Sequence, residues 1–281
     1  MTDDTWTILR VLQWTQGRFT ERGIPSARLD AEVLLAHVLQ RDRVGLYTHF
    51  DQPLEGDELS AFRELIKRRL AGEPVAYLIG KREFRSLVLG VDARVLVPRP
   101  ETETLVEVAL GLIGETPRVV DVGTGSGAIA LAVKAARPGA TVFAVDRSED
   151  AAAVARANAI KLGLAVEVRT GDLLAPVAGD GPFDAVLSNP PYIASAELPG
   201  LPIEVRREPQ LALDGGADGL VVIRRLVADA VALLATGGVL VMEVAAGQAP
   251  AVIELMTRAG YADAQATKDL TGIDRVVSAR R

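Results

Sequence analysis

A doubly wound α/β sheet preceded by a small helical bundle is the fold class that the sequence predicts, and three observations carry it. From residue 118 onward, apolar runs, turn residues and amphipathic stretches repeat as strand, turn, helix, a pattern that packs as a parallel sheet with helices on both faces. Residues 4–72 instead show helical periodicity throughout. Glycines and polar residues gather directly after the strands, where ligands bind in such sheets.

The composition sets the frame. With 281 residues and 49% apolar content the chain can bury a large core, in one or two domains. Cysteine is absent, which excludes disulfides, thiolate metal sites and a Cys nucleophile, and His37 and His49 are too few for a histidine-rich metal set. No metal is expected. A net charge of −6 argues against a whole-surface nucleic-acid binder, and no stable DNA binding is expected. No stretch is apolar enough to span a bilayer, and Met1-Thr2-Asp3-Asp4 lacks the layout of a signal peptide. A cytoplasmic protein without membrane partners is the expectation.

In chain order, Trp6, Leu9 and Leu12, then Leu59, Phe62, Ile66 and Leu70, fall at three-to-four spacing, with a dense apolar helix from Ala31 to Leu39 between them. Gly23-Ile24-Pro25 and Gln52-Pro53 break these into separate helices. Gly72-Glu73-Pro74 ends the bundle, placing one domain at 1–73 and a second at 74–281. The basic residues Lys67, Arg68 and Arg69, with Lys81, Arg82 and Arg85, read as a solvated face or as a surface for an acidic partner. Residues 75–97 suggest two short strands, a hairpin linker, before the rigid stretch Val97-Pro98-Arg99-Pro100-Glu101 and a helix from Thr102 to Leu112. Arg99 and Glu101 either line a cleft or cap that helix.

Strands follow at about 118–122, 141–146, 166–170, 183–188, 238–243, 261–267 and 274–280, with helices near 126–137, 148–162, 218–235 and 247–259. After the first strand, Asp121-Val122-Gly123-Thr124-Gly125-Ser126-Gly127 lets backbone approach a ligand at a helix N-terminus. After the second, Asp146 is placed to accept hydrogen bonds from two ribose hydroxyls. This loop suits NAD and S-adenosylmethionine about equally, because Gly123, Gly125 and Ala128 also satisfy the dinucleotide fingerprint. Three features favour S-adenosylmethionine: Asp121 two residues before the first glycine, Gly171-Asp172-Leu173 after the third strand, and Asn189-Pro190-Pro191-Tyr192 after the fourth.

That last corner is stiff and rich in acceptors. Its prolines supply no N–H and hold φ near −65°, leaving carbonyls free. A planar NH2 group needs two acceptors and a face, which the Asn189 side-chain oxygen, the Pro190 carbonyl and the Tyr192 ring would supply. Drawing both hydrogens toward acceptors localises the nitrogen lone pair, which is the requirement of a transferase.

With Gly80-Lys81-Arg82-Glu83-Phe84, Leu96 to Glu103, Asp121 to Leu131, Ser188 to Ile193, Glu208-Pro209 and Ala212 to Gly216, the chain resembles the HemK/PrmC family of peptide-chain release factor glutamine methyltransferases over essentially its whole length. The resemblance implies a Rossmann-like, class I S-adenosylmethionine-dependent methyltransferase sheet joined by a β-hairpin linker to an N-terminal substrate-recognition bundle. It also implies methylation of the glutamine in the Gly-Gly-Gln motif of release factors, in support of translation termination, with release of S-adenosylhomocysteine; a monomer is expected. On this sequence, the loop Gly123, Thr124, Gly125, Ser126 and Gly127 would hold the methionine end of the cofactor, Asp146 its ribose, and Asp172 and Leu173 its adenine. Asn189, Pro190, Pro191 and Tyr192 would grip the glutamine amide, with Arg99 a further substrate-binding candidate and Asn189 also bordering the cofactor. The family usually has glycine soon after the acid of Glu243-Val244-Ala245-Ala246-Gly247-Gln248, and this chain does not. Rivals are a DNA adenine methyltransferase, a ribosomal-protein glutamine methyltransferase and a non-catalytic cofactor-binding module.

Overall fold

The computed structural model describes residues 5–281; the reading of residues 1–4 as lacking a signal-peptide layout, and the first residue of the helical stretch, lie outside the described residues. The described chain divides into two compact units, residues 5–80 with 203–207, and residues 81–202 with 208–281.

The first unit is a bundle of α1 (Ile8–Glu21), α2 (Ala27–Val38), α3 (Arg43–Thr48), α4 (Gly56–Leu70) and α5 (Val75–Ile79). Thr7 caps α1 by accepting from the Arg10 N–H, and Glu55 with Glu58 forms a capping box on α4. Phe19, Leu34, Leu35, Leu46 and Phe62 are fully buried at its centre; Leu12, Phe62 and Ile66 of the three-to-four series belong to this core, whereas Leu9 is exposed and Ile8 and Val11 take the inward face of α1. Arg69 is not part of any basic surface. It is 4% exposed and paired with Asp30 at 2.7 Å and with Glu204 at 2.7 Å, while Arg68 pairs with Glu73 at 2.5 Å. Gly72 matters for space, since a Cβ there would sit 2.7 Å from the Ile203 side chain. The two short strands expected within 75–97 are present as a hairpin at residues 81–84 and 87–90. Residues 75–79 form α5, closed by Gly80 in the left-handed region (φ 69°), because the apolar run Val75 to Ile79 buries a helical face.

The second unit opens with the antiparallel hairpin β1 (Lys81–Phe84) and β2 (Leu87–Gly90). It continues through α6 (Thr102–Leu112), β3 (Arg118–Val122), α7 (Ala128–Ala136), β4 (Thr141–Asp146), α8 (Glu149–Leu162), β5 (Glu167–Thr170) and β6 (Phe183–Ser188). It ends with α9 (Val221–Leu233), β7 (Leu234–Glu243), α10 (Ala249–Arg258), β8 (Ala262–Lys268) and β9 (Asp274–Arg280). Seven strands form one sheet in the order β5-β4-β3-β6-β7-β9-β8, the first five parallel. Alternate residues face two cores. Val120, Phe143 and Val186 pack with α9 and α10 on one side, while Val119, Ala144 and Leu187 pack with α6 and α7 on the other.

The sheet is not wholly parallel as expected, because β9 runs antiparallel to both β7 and β8. A parallel return needs a crossover of a dozen or more residues, and only residues 269–273 separate the last two strands. That turn is tied by Asp269, whose Oδ1 accepts from the Thr271 and Ile273 N–H groups at 2.8 and 3.1 Å. No helix of the described residues is long and apolar enough to cross a membrane.

Candidate active site

Chain order reverses between β3 and β6, so the carboxyl ends of β3, β4 and β6 open into one crevice. The ends of these strands deliver Gly123, Asp146 and Asn189 to a single cleft, which Gly125, Asp172, Leu173, Pro190 and Pro191 also line. Eight of the residues singled out in the sequence are therefore neighbours, although their numbers span 123 to 191.

The glycine loop is held from beneath. The N–H groups of Gly123 and Thr124 donate to the Val145 carbonyl at 2.8 and 3.0 Å, and Gly123, Gly125 and Gly127 all adopt left-handed φ (72°, 55° and 85°), which a side chain would strain. Thr124 and Ser126 are buried. The Thr124 hydroxyl donates to Asp121 at 2.6 Å, and the Ser126 carbonyl accepts from Asn158 Nδ2 at 2.9 Å. Asn158 also exchanges two hydrogen bonds with the Gly90 backbone, at 2.7 and 3.0 Å, pinning the hairpin to the loop. Asp121 is fully buried, pushed up to about 7 by burial, with Oδ1 lacking a hydrogen-bond partner. Gly127 serves as the N-cap of α7.

Asp146 accepts from the Gly125 N–H at 2.8 Å on Oδ2 and from the Ser148 N–H at 2.9 Å on Oδ1. Burial raises its carboxyl above the ordinary value, while these backbone donors oppose the shift. The Arg147 N–H also opposes the shift, and the carboxylate lines the cleft as an acceptor of the kind a vicinal diol requires. Asp172 pairs with Arg225 at 2.5 Å, which holds its carboxyl below the ordinary value. Gly171 admits no side chain, since a Cβ would lie 2.4 Å from Pro176.

Asn189 donates from Nδ2 to the Thr102 hydroxyl at 3.3 Å, and no donor among the described residues reaches its Oδ1 or the Pro190 carbonyl. The partly buried Tyr192 ring packs against the sheet core, and its hydroxyl donates to Glu243 at 3.2 Å. Gln248 donates to the Tyr192 carbonyl at 3.0 Å, so residues 243 and 248 hold Tyr192 at both ends, with Gly247 at φ 86° making the intervening turn. Gly215 and Gly219 press on the same corner, where a Cβ would lie 2.7 Å from the Pro191 carbonyl and 2.3 Å from the Tyr192 carbonyl. Arg99 does not line the cleft; it pairs with buried Glu208 at 2.6 Å.

Sequence reading missed Thr102 and Glu243. Glu243 follows the same rule as Asp146, an acid ending a strand of the sheet, and was legible on that ground. Thr102 looked like an ordinary first residue of a helix.

A mainly parallel seven-stranded sheet with a glycine loop after β3, an acid closing β4 and an Asn-Pro-Pro-Tyr corner after β6 defines a methyltransferase of the class I fold. Solved structures agree on the fold. A methyltransferase from Pyrococcus furiosus matches 69% of this chain and 88% of its own at TM-score 0.54 and 19% identity. The hMettl16 catalytic domain in complex with MAT2A 3'UTR hairpin 1 matches 82% of this chain and 83% of its own at TM-score 0.59 and 16% identity. Residues 10–80 match the PrmC N-terminal domain and residues 102–199 the methyltransferase small domain. The chain is 45% identical to the release factor glutamine methyltransferase of Geobacter sulfurreducens, over 99% of this chain and 98% of that protein. It is 43% identical to the one from Deinococcus radiodurans, over 96% and 97%. The chain belongs to the release factor glutamine methyltransferase family.

Proposed function

We propose that this enzyme transfers a methyl group from S-adenosylmethionine to the side-chain amide nitrogen of the glutamine in the Gly-Gly-Gln motif of peptide-chain release factors, as a cytoplasmic monomer. The observation that carries the reading is the Asn189 corner, with unclaimed acceptors at Asn189 Oδ1 and the Pro190 carbonyl, in the cleft that also holds the glycine loop and Asp146. The residues present fit the cofactor, because the Asp146 carboxylate lines the cleft as an acceptor for the ribose hydroxyls. Gly123 and Gly125 would take the methionine end, Asp146 the ribose, and Asp172 with Leu173 the adenine. When bound, S-adenosylmethionine supplies an electrophilic sulfonium methyl.

The protein's own work is alignment. Asn189 Oδ1 and the Pro190 carbonyl accept the two amide hydrogens, which turns the nitrogen lone pair toward the methyl and places acceptors where positive charge develops. Pro191 stiffens the corner, and Tyr192 braces it from the core side instead of stacking on the amide. No strong base is required, since the proton leaves to water after transfer. Arg99, fixed by Glu208, would act at most at the margin of substrate binding. The bundle, residues 1–73 in the sequence reading, is assigned to docking of the release factor, which a small glutamine pocket cannot supply.

An assay with tritiated S-adenosylmethionine, offering release factor, ribosomal protein and DNA in parallel, tests the reading. Label on the release factor glutamine is expected. Label mainly on ribosomal protein or on DNA would replace the proposed substrate.

A further inference from the structure

Asn189 presents a problem that packing cannot solve. A planar amide turned by 180° exchanges its oxygen and its NH2 with almost no change of shape, so only its hydrogen-bond partners decide which of them faces the cleft. In this molecule the partner is Thr102 at the start of α6, and behind Thr102 stands Glu243 at the end of β7, the strand beside β6. We propose that Glu243, acting through Thr102, is the positioning residue that holds the Asn189 amide with its oxygen toward the reacting glutamine nitrogen, an inference that rests on the reading of Asn189 as an acceptor for that amide.

Direction runs along the chain of contacts. An ionised carboxylate only accepts. Glu243 Oε2 takes the single proton of the Thr102 hydroxyl at 2.6 Å, and Oε1 takes that of the Tyr192 hydroxyl at 3.2 Å. With its proton committed, Thr102 Oγ1 has only lone pairs to offer, and therefore receives Asn189 Nδ2 at 3.3 Å. Oδ1 is left facing the cleft without a protein donor. A proton on Oε2 of Glu243 reverses the order, since Thr102 can then accept from Glu243 and donate to the Asn189 oxygen, turning the NH2 toward the substrate.

Glu243 is fully buried, and Thr102 is 4% exposed. The charged or titratable groups facing Glu243 are Tyr192, Glu101 from the start of α6, and Arg275 from β9, which is itself paired with Asp269 at 3.3 Å. Burial raises the Glu243 carboxyl to about 7 and Glu101 adds to the rise, while Thr102, Tyr192 and Arg275 oppose it.

The test compares Thr102→Val, Thr102→Ser and Glu243→Gln in the full chain, with release factor as substrate. Thr102→Val keeps the shape and removes the relay, so kcat should fall about tenfold or more, less than the loss of a direct preorganised contact, with cofactor affinity by calorimetry unchanged. Thr102→Ser restores the hydroxyl and should recover kcat to within about threefold of wild type. Wild-type kcat should decline on the acid side of about 7, and Glu243→Gln should be slower with that limb gone. Equal kcat in the Val and Ser variants, wild-type kcat in Thr102→Val, or an unchanged acid limb in Glu243→Gln would each overturn the proposal. Should Thr102→Val fail to fold, the Glu243→Gln profile decides. A wild-type enzyme that leaves release factor unlabelled would refute the substrate, whereas the Asn189 side-chain amide resonances, with and without Thr102→Val, read the relay without any turnover.

Discussion

On the proposed reading, Asn189 after β6 and Asp146 at the end of β4, on either side of β3, divide the work of the cleft. Asn189→Ala removes an acceptor for the reacting amide and leaves the glycine loop intact, so turnover should fall by about a hundredfold while cofactor binding persists, the scale of one lost oxyanion-type contact. Stopped-assay kinetics with matched calorimetry would check it. Asp146→Ala should act the other way round, weakening S-adenosylmethionine binding by about 1.5–3 kcal/mol, the range for hydrogen bonds to a charged group. NADH in the same titration should produce no heat of binding. Both positions were legible in the sequence because each is a residue type at a fixed distance along or after a strand. The orientation of Tyr192 was not. Its partner Glu243 lies 51 residues later, and Thr102 meets Glu243 across 141 residues, so no local pattern could place them together.

At the level of elements, the strands that form the parallel half of the sheet carry two buried acids, and these give stability a pH dependence of definite sign. Asp121 on β3 and Glu243 on β7 are both raised to about 7 by burial, from ordinary values of 3.8 and 4.5. A carboxyl raised in the folded state favours folding while protonated, so this contribution is full below the ordinary value and is lost as pH rises through about 7. Denaturant midpoints should therefore fall across the window from 4.5 to about 7, and the fall should flatten in Asp121→Asn and Glu243→Gln. A midpoint that climbs with pH over that window would contradict the assignment. Glu243 is thus ionised for the relay at the expense of the fold. Most elements were readable from pattern alone, since the near-continuous apolar runs of β3, β4 and β6 mark strands covered on both faces and three-to-four spacing in α6 marks its buried side. What period does not carry is strand direction, and the antiparallel β9 follows from a short turn whose geometry rests on Asp269.

For the molecule as a whole, the assignment of the bundle to docking implies that its exposed apolar groups serve the partner. Trp14 is 49% exposed and Phe50 51%, large surfaces for a solvated helical unit. Trp14→Ser with Phe50→Ser should raise KM for intact release factor by about tenfold or more, leave cofactor affinity unchanged, and have no effect on a short Gly-Gly-Gln peptide, because remote contacts add binding energy only for the partner that makes them. Unchanged KM for the intact protein would show that the bundle is structural. The division itself was only partly legible. A break after Gly72 is visible in the sequence, but the unit continues through α5 to Gly80 and takes in residues 203–207 from far along the chain.

Residues 203–207 bear on how such a protein can be taken apart or rebuilt. Ile203 fills the space that only Gly72 leaves open, and Glu204 reaches the buried Arg69. The bundle is therefore assembled from two stretches of the chain, and one backbone cleavage between Gly80 and Lys81 would leave its last piece on the other fragment. The two fragments should remain associated after such a nick and separate only in denaturant. A chimera that exchanged the bundle at one junction would carry a mismatched plug at Ile203, so any working exchange of partner specificity must graft both stretches together.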